Sequence, residues 1–294
     1  MTQAFQFDVG IYERLLALAR RVATLSGGSE GIFGRASGGR LHFREHRTYV
    51  PGDDPRDLDW NLYLRLGMLL SKQYSREEAP EVMVLLDRSA SMGKGDAGKD
   101  RCAREFAVGI AAVALHAEAP FTLAILAEGG PVTLGQWRSH RKLQACMRAV
   151  ESLGAPDGPT HLQTMLHLPA AGGSGRILFL LSDFLVDPLP TAICAALGRG
   201  PNSGGLVHVV SSFERDPFLL ESGVLADPET GKSSSFRRTR ALTSAYHQEL
   251  LDHAARLREF SGRYGLGFMA LSDAEPFESS ILQAFLREGA RGVS

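Results

Sequence analysis

An α/β fold on a doubly wound, mostly parallel sheet is what this sequence predicts, and three observations carry the prediction. Short runs that are apolar at every position, "EVMVLL", "FTLAILA", "RILFLL", "LVHVV" and "LGFMAL", recur from residue 81 onward. Unbroken apolarity over so few residues marks strands buried on both faces, because a half-exposed strand would alternate. Segments with helical patterning separate these runs, at about 99–118, 137–152, 188–198, 240–263 and 276–288. Strands that alternate with helices build an open sheet through right-handed crossovers. The third observation is "REFAVGIAAVALHAEA", apolar almost all round, as a helix packed deep against a sheet must be.

The elements follow in chain order. Residues 11–25 place Ile11, Leu15, Leu18, Val22 and Leu25 at helical spacing, which predicts an amphipathic helix. The Gly/Ser-rich "SGGSEGIFGRASGGR" ends it. Its "GGSEG" has the spacing of a nucleophile elbow but follows a helix inside a loop, whereas an elbow joins a buried strand to a helix. Residues 41–79 form a turn-rich, charge-rich block that closes on a strand, "MLLSKQYS". In that block "PGDDPRDLDW" reads as successive turns, with aspartate capping a short helix around Trp60 that packs against the sheet edge. The α/β core then runs from 80 to 294, after an extension over 1–79. It is interrupted at about 214–238 by a β-hairpin insertion with the turn D-P-E-T-G.

Composition narrows the function classes. Thirty-two basic against thirty-three acidic residues leave a formal charge of −1, so no global field draws the chain to nucleic acid or to an anionic membrane. The run "RRTR" at Arg237–Arg240 is read as a solvated loop edge. No apolar run approaches the roughly 18 residues of a spanning helix, and no charged leader precedes an apolar segment at the N-terminus. Cys102, Cys146 and Cys194 are too scattered for a disulfide framework or a zinc site. A reducing cytoplasm is expected.

Three ligand-binding patterns overlap in "VMVLLDRSASMGKGDAGKD". Asp87, Ser89 and Ser91 spell D-x-S-x-S; Gly93, Gly95 and Gly98 spell G-x-G-x-x-G; Gly93 through Lys99 nearly completes a phosphate loop. In an open α/β sheet the ligand lies beyond the carboxyl ends of the strands. Asp87 follows "VMVLL" and Asp183 follows "RILFLLS", so two carboxylates reach the same edge, while Thr160 stands in the loop "APDGPTHLQTML". Asp87, Ser89, Ser91, Thr160 and Asp183 thus offer hydroxyl and carboxylate oxygens only, a set suited to a divalent cation, Mg²⁺ or Mn²⁺. The dinucleotide reading fails because "DRSASM" separates the strand from the first glycine. The phosphate-loop reading ends in Asp100 where a metal-binding hydroxyl belongs. Gly93–Gly98 is expected to be a mobile loop.

These residues resemble the von Willebrand factor A fold, a Rossmann-like sheet whose metal-ion-dependent adhesion site combines D-x-S-x-S with a separate Thr and a separate Asp. More narrowly, "RTYVPGDDPRDLDWNLYLRLG" before the metal loop is similar to the bacterial family known as domain of unknown function 58. Arg47, Tyr49, Gly52, Asp53, Arg56, Asp59, Trp60 and Arg65 match its pattern, with Leu58 in place of Ile and Leu64 in place of Ala. "LADPETGK" resembles that family's inserted hairpin, so the likeness runs from about residue 35 to the C-terminus. Many members carry membrane helices, and the chain is expected to belong to a soluble branch without membrane insertion. The resemblance implies a partner, a MoxR-type AAA+ ATPase or its substrate, and a role as metal-dependent adaptor. The expectation is a protein-interaction module, not an enzyme, in which the cation binds a partner's carboxylate.

Alternatives are a Mg²⁺-dependent phosphoester hydrolase using His161 beside Thr160, a nucleotide-binding protein, and a relic metal loop plugged by an acid of the same chain. The histidines, His208 in "LVHVV" among them, are read as satisfied core or surface residues.

Overall fold

The computed structural model describes residues 5–26, 41–51, 53–76, 79–93, 97–168, 175–186, 193, 203–215 and 222–288. In chain order these form α1 (Ile11–Ser26), β1 (Leu41–Thr48), α2 (Trp60–Leu66), β2 (Leu70–Arg76), β3 (Glu81–Leu86), α3 (Ala97–His116), β4 (Phe121–Ile125), β5 (Val132–Trp137) and α4 (Leu143–Glu151). They continue with β6 (Arg176–Ser182), β7 (Ser203–Val210), α5 (Ser212–Arg215), β8 (Ser222–Ala226), β9 (Ser233–Arg237), α6 (Arg240–Arg263), β10 (Gly267–Ser272) and α7 (Phe277–Glu288). The expected helix at 188–198, apart from Ile193, lies outside the described residues, as do the "GGSEG" loop, Gly52, Gly95 and Cys194.

The central sheet has six strands in the order β10-β7-β6-β3-β4-β5, all parallel except β5. Its apolar runs are explained by two-sided burial. Along β3, Val82, Val84 and Leu86 join the cluster that contains α3, while Met83 and Leu85 join the cluster on the other face with Leu257 of α6. Each such side chain contributes roughly 1.5–3 kcal/mol relative to exposure. Helix α3 is apolar all round because it lies between the sheet and an outer layer. Ile11, Leu15, Leu18, Ala19 and Val22 of α1, with Phe277 and Ile281 of α7, belong to the same cluster. The fit is close enough that a Cβ on Gly109 of α3 would fall 2.0 Å from Ile281 Cδ1.

Strand β5 was not expected; the helix predicted from residue 137 begins only at Leu143. "VTLGQW" pairs antiparallel with β4 as an edge strand whose side chains are exposed or half-buried, so it lacks the apolar run that marks the other strands. The glycines before it were the available signal: Gly130, at φ 125°, turns the chain between the two strands.

The block before the sheet forms its own antiparallel pair, β1 with β2. Strand β1, "LHFREHRT", had been read as turn-rich and charged; it is a strand because β2 supplies its backbone partners. The capping was expected and is present: Arg56 N donates to Asp54 Oδ1 at 2.9 Å, and Asn61 N and Leu62 N donate to Asp59 Oδ1 at 3.1 and 3.2 Å. Packing of α2 against the sheet edge is not observed. Trp60 is 56% exposed and Leu64 81%, so the apolar side of this short helix faces outward. No helix among the described residues is long and apolar enough to cross a membrane.

Candidate functional site at the switch point of the sheet

From β3 the chain moves to β4 on one side, then returns by way of β6 to β7 and β10 on the other. The direction of strand order therefore reverses between β3 and β6, the place where open α/β sheets leave a crevice at their carboxyl ends. Asp87 ends β3 and Asp183 ends β6. The parallel ladder extends through Asp87 N to Leu181 O, 2.9 Å, which holds both aspartates at that edge.

Asp87 is the hub of the crevice. Its side chain is buried, and its Oδ1 accepts from Ser89 N at 2.9 Å. Oδ2 accepts from Thr160 Oγ1 at 3.1 Å and from Ser182 Oγ at 2.7 Å. Ser89 Oγ and Ser91 Oγ lie 3.1 Å apart. Backbone bonds tie the Thr160 loop to the D-x-S-x-S loop, Ala90 N to Gly158 O and Asp157 N to Arg88 O. Asp87, Ser89, Ser91 and Thr160 are thus one hydrogen-bonded cluster drawn from two distant segments.

Asp183 adjoins this cluster, but its carboxylate engages Lys99, the last residue of the near phosphate-loop pattern, which stands in the first turn of α3. Lys99 Nζ donates to Asp183 Oδ2 at 2.8 Å and to Glu214 Oε1 at 2.6 Å, with the lysine side chain only 2% exposed. Burial works to lower the Lys99 pKa, yet the Asp183 and Glu214 charges outweigh it and hold the ammonium above its ordinary range. The phosphate-loop pattern dissolves here: its lysine is committed to two carboxylates. Its Asp100 accepts from Arg88 Nη1 and from Arg104 Nε, the latter at 3.0 Å. Arg104, almost fully buried, also donates to Val150 O, Leu153 O and Gly154 O, so it caps the carboxyl end of α4.

A further carboxylate arrives from the inserted hairpin. Ser91 Oγ donates to Glu229 Oε1 at 3.2 Å and Thr160 N to Glu229 Oε2 at 3.3 Å. Burial raises the Asp87 pKa, the Asp183 charge adds to the rise, and the bonds from Ser182 and Ser89 oppose it. Burial likewise raises that of Glu229; the Thr160 and Ser91 bonds oppose the shift, and the Asp183 and Asp87 charges add to it. Carboxylates that repel one another around hydroxyl oxygens are the setting a hard divalent cation relieves. Asp87, Ser89, Ser91 and Thr160 are the residues that fit one, with Asp183 restrained by Lys99. No group of three or more His, Cys, Asp or Glu that could hold a metal occurs among the described residues.

The backbone is strained beside it. Phe184, directly after Asp183, has φ 54°, a left-handed conformation costing a non-glycine residue roughly 1–2 kcal/mol. Its N–H donates to Ser182 Oγ at 2.9 Å, which aligns that hydroxyl on Asp87. Ser182, Lys99, Glu214 and Glu229 are the site residues that sequence reasoning missed. Ser182 had a local signal, being the polar residue before Asp183 in "RILFLLSDF", and Lys99 had one in the near phosphate-loop pattern it closes; Glu214 and Glu229 had none.

His161 precedes a short 3₁₀ helix, Leu162–His167, and makes no capping bond with its side chain. His208, expected to be satisfied, is not: its Nδ1 finds no hydrogen-bond partner among the described residues. It sits 3% exposed beside His253, which donates through Nε2 to Asp183 O at 3.1 Å. Burial, reinforced by His253, pushes the His208 pKa down to about 3 from the ordinary 6.5. The unfolded chain therefore takes up a proton here below about pH 6.5 that the folded one refuses, and stability falls as pH drops from there toward 3. At about pH 5 the expected loss is roughly 2 kcal/mol. His208→Phe should gain on the wild type in urea midpoint between pH 7 and pH 5; a gap that stays constant over that range counts against this account.

An open, mostly parallel α/β sheet with an oxygen-lined, acidic crevice at its switch point is the class of protein these features define. The chain belongs to the family described as protein of unknown function DUF58, which matches over residues 45–256. Among solved structures it is similar to the conserved hypothetical protein BatB from Bacteroides thetaiotaomicron, at 13% identity and TM-score 0.39, covering 73% of this chain and all of that one. It is also similar to an aerotolerance-related membrane protein from Bacteroides fragilis NCTC 9343, at 15% identity and TM-score 0.42, covering 72% of this chain and all of that one. A third likeness is to proximal thread matrix protein 1 from the mussel byssus, at 12% identity and TM-score 0.37, over 44% of this chain and 38% of that one. No curated protein matches the chain.

Proposed function

We propose that this protein is a metal-dependent protein-interaction module of the von Willebrand factor A type, serving as adaptor of a MoxR-type AAA+ ATPase. In this reading Asp87, Ser89, Ser91, Thr160 and Asp183 form the metal-ion-dependent adhesion site. A Mg²⁺ or Mn²⁺ ion held there supplies a Lewis-acidic position for a carboxylate of the partner. One observation carries it: Asp87 accepts from Ser89, Thr160 and Ser182 at once, which orients hydroxyl oxygens of separate segments into one crevice. Lys99 supports it as well, since an ammonium on Asp183 keeps that charge from fully neutralising a cation held by the hydroxyls. A phosphate-binding role has less support, because Lys99 and Asp100 are both engaged inside the protein.

The test is capture of the MoxR-type ATPase by the immobilised protein. Capture is expected with Mg²⁺ and is expected to be lost with EDTA or in Asp87→Ala. Equal capture under all three conditions would sink the proposal.

A further inference from the structure

The inserted hairpin touches the crevice in a way that the interaction role alone does not require. Its turn is built to hold one residue out. Asp227 Oδ1 accepts from Glu229 N at 2.9 Å and Thr230 N at 3.3 Å, Asp227 Oδ2 accepts from Thr230 Oγ1, and Asp227 N donates to Lys232 O at 2.7 Å. Gly231 closes the turn at φ 70°, a conformation glycine adopts without strain. The tip is therefore preorganised. Strands β8 and β9, by contrast, have no buried side chain; Val224 is 67% exposed and Leu225 50%. The hairpin thus lies over the domain without a packed face, and Glu229 reaches Ser91 Oγ and Thr160 N, members of the proposed metal site.

We infer that Glu229 is the crevice's own carboxylate ligand, and that the hairpin must swing away before a partner's acidic residue can dock. This rests on the reading of the crevice as a carboxylate-docking site. The chemistry agrees with the position: a carboxylate placed on a hydroxyl and a backbone N–H of the site is what a partner's Asp or Glu would have to reproduce. The hold is weak by design of the contact. Two hydrogen bonds of 3.2 and 3.3 Å, on a residue that is itself exposed, favour the closed hairpin by about tenfold. A partner's apparent affinity is reduced by the same factor, about tenfold, because only the open fraction can bind.

Two measurements on the full chain test this. The Thr160 amide donates to Glu229, so its hydrogen exchange reports the contact without any metal. A labelled peptide copying Asp227–Gly231 serves as the carboxylate probe in Mg²⁺, read by fluorescence anisotropy. In Glu229→Ala we expect Thr160 exchange to rise about tenfold and the peptide to bind about tenfold more tightly than to the wild type. Unchanged Thr160 exchange, or equal peptide affinity in both proteins, overturns the self-ligand while leaving the docking site standing. Faster exchange with no peptide binding by either protein in Mg²⁺ overturns the docking site itself, and the self-ligand with it.

Discussion

Lys99→Met is expected to destabilise the fold by about 3–5 kcal/mol, more than any other single change in the crevice. The lysine ammonium is buried between Asp183 and Glu214, whose side chains are 5% and 27% exposed. Removing it leaves a carboxylate out of water with no cation to answer it, and the desolvation cost of that charge is then uncompensated. Glu214 can turn toward solvent; Asp183, fixed at the end of β6 beside the strained Phe184, cannot. The urea midpoint of Lys99→Met should fall accordingly, and Lys99→Met/Asp183→Asn should recover most of the loss by removing the stranded charge. A Lys99→Met protein that unfolds at the wild-type urea concentration shows the ion pairs to be energetically idle. A double variant no better than the single one assigns the cost to packing instead.

The second large effect is expected at Asp87. If the crevice holds Mg²⁺, the ion stabilises the folded chain by RT ln(1 + [Mg²⁺]/Kd), about 2.7 kcal/mol at a hundredfold excess over Kd. Asp87→Ala removes a charge from the site and releases the Ser89 amide and the Thr160 hydroxyl, so the affinity should fall by about 100-fold. At the same Mg²⁺ concentration the variant would gain only about 0.4 kcal/mol. The comparison to make is the Mg²⁺-induced rise in melting temperature of the two proteins, which cancels whatever Asp87→Ala does to the metal-free fold. An equal rise in both places the ion somewhere other than the crevice.

Much of this architecture was legible in the residues. The five strands with unbroken apolar runs are all present as parallel strands, because burial on two faces leaves a signature that needs no partner to be read. Strands β1 and β5 escaped for the opposite reason: an edge or a hairpin strand is stabilised by ladder bonds to its neighbour, and its side chains keep mixed polarity. The caps at Asp54 and Asp59 were legible because a cap acts over two or three residues. The outward-facing apolar side of α2 was not, since apolar spacing says that a face exists and not what covers it. At the site, the cluster of Asp87, Ser89, Ser91 and Thr160 was within reach, as those residues ride on strand ends and a loop that the fold class already places at one edge.

The sequence by itself determined which residues sit at the carboxyl edge of the sheet, since strand ends follow from local hydrophobicity and the edge from parallel topology. It determined the oxygen character of the set as well, and the presence of a turn at D-P-E-T-G. Only the tertiary structure decided what those groups face. Lys99 lies 84 residues from the Asp183 it neutralises, and Glu229 lies 69 residues from the Thr160 amide it accepts from. Pairings of that kind depend on the distance between charges in space, fixed by how α3 seats on the sheet and how the hairpin folds over its edge, and no periodicity along the chain encodes them.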